Sequence, residues 1–282
     1  FDTDISQRTE TNEQLQDLIS YTLYSANFSL RYNHSPKFGV SGDFNYAFRD
    51  YQDLKWYSPP TKKDFPYSNI ETYTFGASAY YIYSPKLDLF FRYQYQINES
   101  PGTESNFISN HLNNFSIGAD GQLTPKLDGT ISFGYGVLDY GSTEVDSQDS
   151  ILFHAGLNWA WREKTKIGLM MDKSFSPSPQ DQVMLSTTFS AQISQRFTKR
   201  VAGTLAANYG FVDFSSFREF GPHNVRSDRV DDRYGVSLNI LSNFTSYLNG
   251  RFSYAYSTTA SGYGDEFSND RHLASISLIV QY

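Results

Sequence analysis

Apolar and polar residues alternate with a period of two through one segment after another of this chain. In an extended strand successive side chains point to opposite faces, so this period requires strands with one oily and one wet face. The clearest segment sets Phe38, Val40, Phe44, Tyr46 and Phe48 against Ser41, Asp43, Asn45 and Arg49. A second sets Leu87, Leu89, Phe91, Tyr93 and Tyr95 against Asp88, Arg92, Gln94 and Gln96. A third runs Ile151, Phe153, Leu157, Trp159 and Trp161 against His154, Asn158 and Arg162, and a fourth Val183, Leu185, Phe189 and Ile193 against Ser186, Ser190, Gln192 and Arg196. Helical three-four spacing fits none of them.

The connections between these segments alternate in length. Short turns fall at Ser35-Pro36-Lys37, Ser84-Pro85-Lys86, Thr124-Pro125-Lys126, Arg162-Glu163-Lys164, Thr198-Lys199-Arg200 and Ser242 to Thr245. Between them lie polar stretches expected to be long loops: Gln52 to Asn69, Asn98 to Asn110, Gly141 to Asp149, Ser176 to Asp181, Ser215 to Asp231 and Ala260 to Asn269. Membrane barrels place tight turns on one rim and long loops on the other, so the alternation predicts both a fold and an orientation. The short turns recur at roughly the length of a propeller blade, but the Gly-His and Trp-Asp punctuation of such blades is missing.

Composition decides which solvent the oily face meets. Aromatic residues make up 17% of the 282 residues, with 22 Tyr and 23 Phe, while the hydrophobic total is only 39%. A barrel wall with a lipid face and a lumen face averages to a hydrophilic sequence and concentrates aromatics in its interfacial girdles, so a mean hydropathy of -0.50 is compatible with membrane insertion. No run approaches the roughly 18 apolar residues of a membrane helix. The sequence contains no Cys, and its net charge of -7 with mixed signs supplies no basic stripe for nucleic acid. The sequence opens at Phe1 without an initiator Met or a signal-like segment, so any secretory signal is expected to have been removed.

Counting from the turns predicts strands near 17–33, 38–51, 70–83, 87–97, 111–123, 127–139, 150–161, 165–175, 183–196, 201–214, 232–242, 247–258 and 270–282. Single-chain bacterial barrels are normally even-stranded, which makes Phe1 to Arg8 the candidate for one more strand, shortened at its start and expected to continue upstream. The expected architecture is all-β: a transmembrane antiparallel up-and-down β-barrel of about fourteen strands. Residues 1–282 would form one domain, a monomer surrounded by outer-membrane lipid.

Two motifs carry a resemblance. Ala274-Ser275-Ile276-Ser277-Leu278-Ile279-Val280-Gln281-Tyr282 alternates and stops on an aromatic, and it resembles the C-terminal signal of outer-membrane barrels, with Tyr282 where Phe is usual. Phe1-Asp2-Thr3-Asp4-Ile5, then Asp17-Leu18-Ile19 leading to Phe28-Ser29-Leu30-Arg31-Tyr32, resembles the opening of the β-barrel porins encoded with exopolysaccharide genes, which show Asn where this chain has Asp4. That resemblance implies an outer-membrane passage for a secreted polysaccharide, with a periplasmic export partner.

The residues expected to line a lumen are Arg31, Asp43, Arg49, Asp88, Arg92, Asp120, Asp128, His154, Lys166, Asp172, Arg196, Arg233 and Arg251. Interspersed signs suit a neutral or weakly charged solute, or charges that pair across the interior and stiffen it. Aromatics on alternating strands are more often girdle than lumen, although lumen-side Tyr and Gln could stack on and hydrogen-bond sugar rings. No cofactor is expected. The histidines, His34, His111, His154, His223 and His272, show no metal spacing. A general diffusion porin and a closed adhesin remain open, as does an outer-membrane hydrolase built around His223 with Arg218, Glu219 and Asp228. Gly134, Gly136, Gly203 and Gly235 sit inside strand patterns, where glycine marks bends or close approach and not a phosphate loop.

Overall fold

The computed structural model describes residues 2–11, 18–51, 69–101, 109–141, 147–178, 182–218, 226–245, 247–262 and 268–280. They form fourteen strands: β1 (Asp2–Thr11), β2 (Leu18–Asn33), β3 (Phe38–Tyr51), β4 (Ile70–Ser84), β5 (Leu87–Glu99), β6 (Asn110–Thr124), β7 (Leu127–Tyr140), β8 (Gln148–Arg162), β9 (Thr165–Ser178), β10 (Gln182–Arg196), β11 (Val201–Arg218), β12 (Arg226–Asn243), β13 (Leu248–Ser261) and β14 (Asn269–Val280). They make one sheet whose spatial order is the chain order, every neighbouring pair antiparallel. Among the described residues no ladder joins β14 back to β1.

The period-two pattern is the cause of this arrangement. Partners across an antiparallel ladder share a face, so the phase of one strand dictates the next. Register carries Phe91 to Ile117, Phe133 and Phe153 along one face. On the other face it carries Arg31 to Ser41, Ser78, Arg92, Ser116 and Gly134. The first face is apolar and exposed, with Phe91, Ile117 and Phe133 at 51–62%. Directly opposite aromatics meet there: Phe44 with Phe75 at 5.1 Å between ring centroids, Tyr93 with Phe115 at 4.8 Å and Tyr209 with Tyr234 at 5.1 Å. Such cross-strand pairs contribute roughly 0.2–1 kcal/mol each.

Local chemistry sets the turns. The Oγ of Ser35 accepts hydrogen bonds from the backbone N–H of Lys37 and Phe38, and Thr198 and Thr245 do the same for the two residues closing their own turns. Ser and Thr that bind the backbone two or three residues on compete with strand extension and favour turns. Gly121 and Gly129, directly paired, hold φ of 123° and 147°, a conformation other residues rarely adopt.

Several strands run further than their sequence pattern indicated. Half of the expected loop Ser176 to Asp181 is ladder, with Ser176 opposite Met184, Pro177 opposite Val183 and Ser178 opposite Gln182. Likewise β11 runs to Arg218 and β12 starts at Arg226, leaving residues 219–225 where Ser215 to Asp231 was expected to be loop. A hairpin continues wherever its backbone groups can pair, whether or not its side chains alternate. The alternation of short and long connections therefore fails at β9–β10.

That hairpin also leaves the plane of the sheet. The β8–β9 ladder ends at Phe153 opposite Lys173, although both strands continue. By phase Phe175 and Leu185 belong to the apolar face, yet Phe175 is buried with Leu112, Leu138 and Leu152 of the polar face, and Leu185 packs against the same group. A Cβ added at Gly136 would lie 3.4 Å from the Phe175 ring. The upper part of β9–β10 thus leans across the polar face of β6–β8, and the missing side chain of Gly136 leaves space for Leu152, whose Cδ1 would lie 2.6 Å from a Cβ there.

Candidate transport surface

The polar face carries a charged and aromatic group near the short turns of β2–β5. Arg31 Nη2 donates to Asp88 Oδ2 at 2.7 Å, and Arg92 Nη2 donates to Asp43 Oδ2 at 2.8 Å. The Arg31 guanidinium lies over the Tyr80 ring at 4.6 Å, and the Tyr80 hydroxyl is 2.8 Å from Ser41 Oγ. Tyr80 faces Phe90 at 6.4 Å between ring centroids. Gly76 makes the second ion pair possible, since a Cβ there would fall 2.5 Å from both Asp43 oxygens and 2.7 Å from Arg92 Nη2. With side chains 15–45% exposed, these pairs remain wet and partly screened.

Register places all the charged residues singled out from the sequence on this one face. Arg31, Asp43, Asp88 and Arg92 gather as described. His154 Nδ1 approaches Asp172 Oδ2 at 3.1 Å, and Ser174 donates to the other Asp172 oxygen at 2.6 Å. Asp120 lies opposite Asp88 and accepts from Thr130. Arg49 is opposite Leu23 and Ile70, Asp128 opposite Gln122 and Asn158, and Lys166 opposite Ser194. Arg196 is opposite Ala202, Arg233 opposite Gly210 and Thr259, and Arg251 opposite Leu241 and Ser277. These last residues are spread along the face and do not converge on one point.

Towards the long-loop end the same face closes up. Tyr21, Tyr51 and Ile70 form one buried cluster, Leu112, Leu138, Leu152 and Phe175 a second, and Val212 with Phe214 a third. Beside them Thr72 donates to Asn98 at 2.9 Å and Asn98 to Asn110 at 2.7 Å. Arg229 and Asp231, each 1% exposed, pair through Nε at 2.9 Å and through Nη2, with the guanidinium 4.6 Å from the Phe214 ring centroid. Along β2–β4, β6–β8 and β11, then, the polar face passes from half-open to packed and largely apolar.

Sequence reasoning missed two parts of this surface. Tyr80 and Phe90 occupy the wet phase of β4 and β5, a placement readable from their offset against Phe75, Tyr81, Phe91 and Tyr93. The sequence pattern places Arg229 in a loop, and nothing in it marks the pairing with Asp231. His223 and Glu219 of the envisaged hydrolytic group lie outside the described residues. Among the described residues no group of three or more His, Asp or Glu could hold a metal ion.

A sequence profile described as "Putative beta-barrel porin 2" matches residues 113–282. No curated protein matches the chain. Among solved structures, the FrpB iron transporter from Neisseria meningitidis, F3-3 variant, is similar at TM-score 0.54 and 11% identity over 89% of this chain and 45% of that one. The F5-1 variant apoprotein is similar at TM-score 0.55 and 10% identity over 86% of this chain and 45% of that one. The chain spans less than half the length of these relatives. The likeness extends to their fold: an antiparallel up-and-down β-barrel of the outer membrane.

Proposed function

From the premise that the chain belongs to this β-barrel porin family, we propose that it provides the outer-membrane passage for a secreted polysaccharide, guided along the polar face. The observation that supports this reading is the group formed by Tyr80, Phe90, Arg31, Asp88, Arg92 and Asp43. Sugars present apolar ring faces and a rim of hydroxyls. Aromatic side chains on a wet wall offer stacking surfaces, and adjacent charges of both signs offer donors and acceptors without retaining an ionic solute. Around this group Asp120, Asp128, His154, Lys166, Asp172, Arg196, Arg233, Arg251 and Arg49 would line the rest of the route, a polar path through the bilayer. Residues 1–282 would act as one domain and as a monomer, with a periplasmic export protein delivering the polymer.

A general diffusion porin of the same architecture is the second reading, supported by the family alone. Deleting the gene separates the two. Loss of surface polysaccharide, with polymer or its lipid-linked precursor held inside the envelope, supports export; unchanged export with altered small-solute uptake supports the general porin. Replacing both Tyr80 and Phe90 by Ala is expected to slow polymer release while leaving small-ion conductance in planar bilayers close to wild type.

A further inference from the structure

The two ends of the wall differ in charge, and the short-turn end is basic. Lys37, Lys86, Lys126, Lys164 and Lys199 each occupy a short turn, joined by Arg162 and Arg200, and all are exposed; Glu163 is the one carboxylate among the described residues of these turns. Antiparallel up-and-down order puts every one of these turns at the same end of the sheet. At the other end the apolar face carries carboxylates held by tyrosines: Glu71 accepts from Tyr73 at 2.9 Å, Asp149 from Tyr135 at 2.7 Å and Asp232 from Tyr209 at 3.0 Å.

Two of the turn cations show which way they are aimed. Lys37 Nζ lies 5.7 Å from the centroid of the Tyr81 ring, and Arg162 Cζ lies 4.8 Å from that of Trp161. Tyr81 and Trp161 have the phase of the apolar face, with Phe38, Tyr83, Trp159 and Phe197 exposed at the same level. These two cations therefore sit over rings that meet lipid, and not over the polar face. Aromatic rings at this level mark headgroup depth, and cations held beside them meet phosphate oxygens at a distance where charge is poorly screened.

We propose that this rim is a binding surface for anionic phospholipid headgroups of the adjoining leaflet, with Lys37, Lys126, Arg162 and Lys164 as its contacts. An acidic protein would instead be expected to meet cations turned to the mouth of the lumen.

The test uses Trp159 and Trp161 as reporters in the Trp56→Phe protein, refolded into vesicles of phosphatidylcholine containing a minor fraction of brominated lipid. Brominated phosphatidylglycerol is expected to quench these tryptophans several-fold more than the same fraction of brominated phosphatidylcholine, with the difference shrinking as salt rises. In the K37Q/K126Q/R162Q/K164Q variant the two lipids are expected to quench equally. Retained resistance of the folded band to SDS shows that this variant still folds, and K173Q, which removes a cation at the opposite end, serves as a positional control that keeps the preference. Equal quenching by both lipids in the parent protein overturns the proposal. So does a preference that survives the quadruple variant, or one that K173Q removes as well. Loss of polysaccharide export alone would leave this result unaffected, because the readout requires only a folded barrel in lipid.

Discussion

At the residue scale, the phase of a position governs the cost of changing it more than its chemistry does. Phe133 stands on the lipid face at 61% exposure, flanked along β7 by Ser132 on the wet face. Phe133→Arg is expected to destabilise the refolded protein by about 2–4 kcal/mol near the bilayer midplane, whereas arginine at wet-face Ser190 is tolerated; urea titration of refolding into vesicles measures both. Equal losses at the two sites would point to a water-soluble double-layered sheet. Gly76 illustrates a second constraint, because its missing side chain is the space in which Arg92 reaches Asp43. Gly76→Ala should cost about 1–3 kcal/mol by overpacking, and most of that loss should vanish when Arg92 and Asp43 are already Met and Ala.

At the element scale, the β9–β10 hairpin is where alternation ceases to describe the structure. Continuing the β8–β9 register beyond Phe153 and Lys173 would set Phe175 opposite Ile151, in lipid. Instead Phe175 is buried against Leu112, Leu138 and Leu152. Moving the ring out of lipid gains no hydrophobic transfer energy, so what offsets the lost ladder bonds, about 1 kcal/mol net each, is its close packing against the three leucines. Because the sequence lacks cysteine, engineered pairs report the geometry cleanly. Cysteines replacing Gly136 and Phe175 should be bridged by a short bis-methanethiosulfonate reagent more readily than those replacing Ile151 and Phe175, since the ring edge of Phe175 reaches position 136. The reverse outcome would mean that the hairpin continues in the wall. Phe175→Ala should loosen the long-loop end by about 3 kcal/mol, read as faster hydrogen exchange at Leu112 and Leu138.

At the scale of the whole molecule, the turns and the charges define an axis. The short-turn rim is expected to face the periplasm, so cysteines introduced at Lys37, Lys86, Lys126 and Lys199 should be protected from an impermeant thiol reagent in intact cells. Those introduced at Lys62 and Glu104, which lie outside the described residues, should react. Labelling of the first group in sealed cells would invert the orientation. Conductance of the purified protein in planar bilayers tests the packed long-loop end: cross-linking residue 136 to residue 175 should lower the current if that end limits flow, and reduction should restore it. A barrel that never conducts would favour a structural or adhesive role.

Most of the architecture was legible in the amino-acid order because period two is local. A strand such as β3 announces both faces within a few residues, and Pro-Lys or Thr-Lys-Arg turns stop it by local backbone chemistry. The phase of Arg31, Asp43, Asp88 and Arg92 was readable for the same reason, which is why register sets them on one face. What only the tertiary structure decided is which of these residues touch. Arg31 and Asp88 are 57 positions apart, and their contact depends on three intervening ladders. The lean of β9–β10 and the burial of Arg229 against Phe214 and Asp231 are likewise invisible to alternation. Phase says which face a side chain occupies. Only packing between distant strands says whether that face is open, paired or covered.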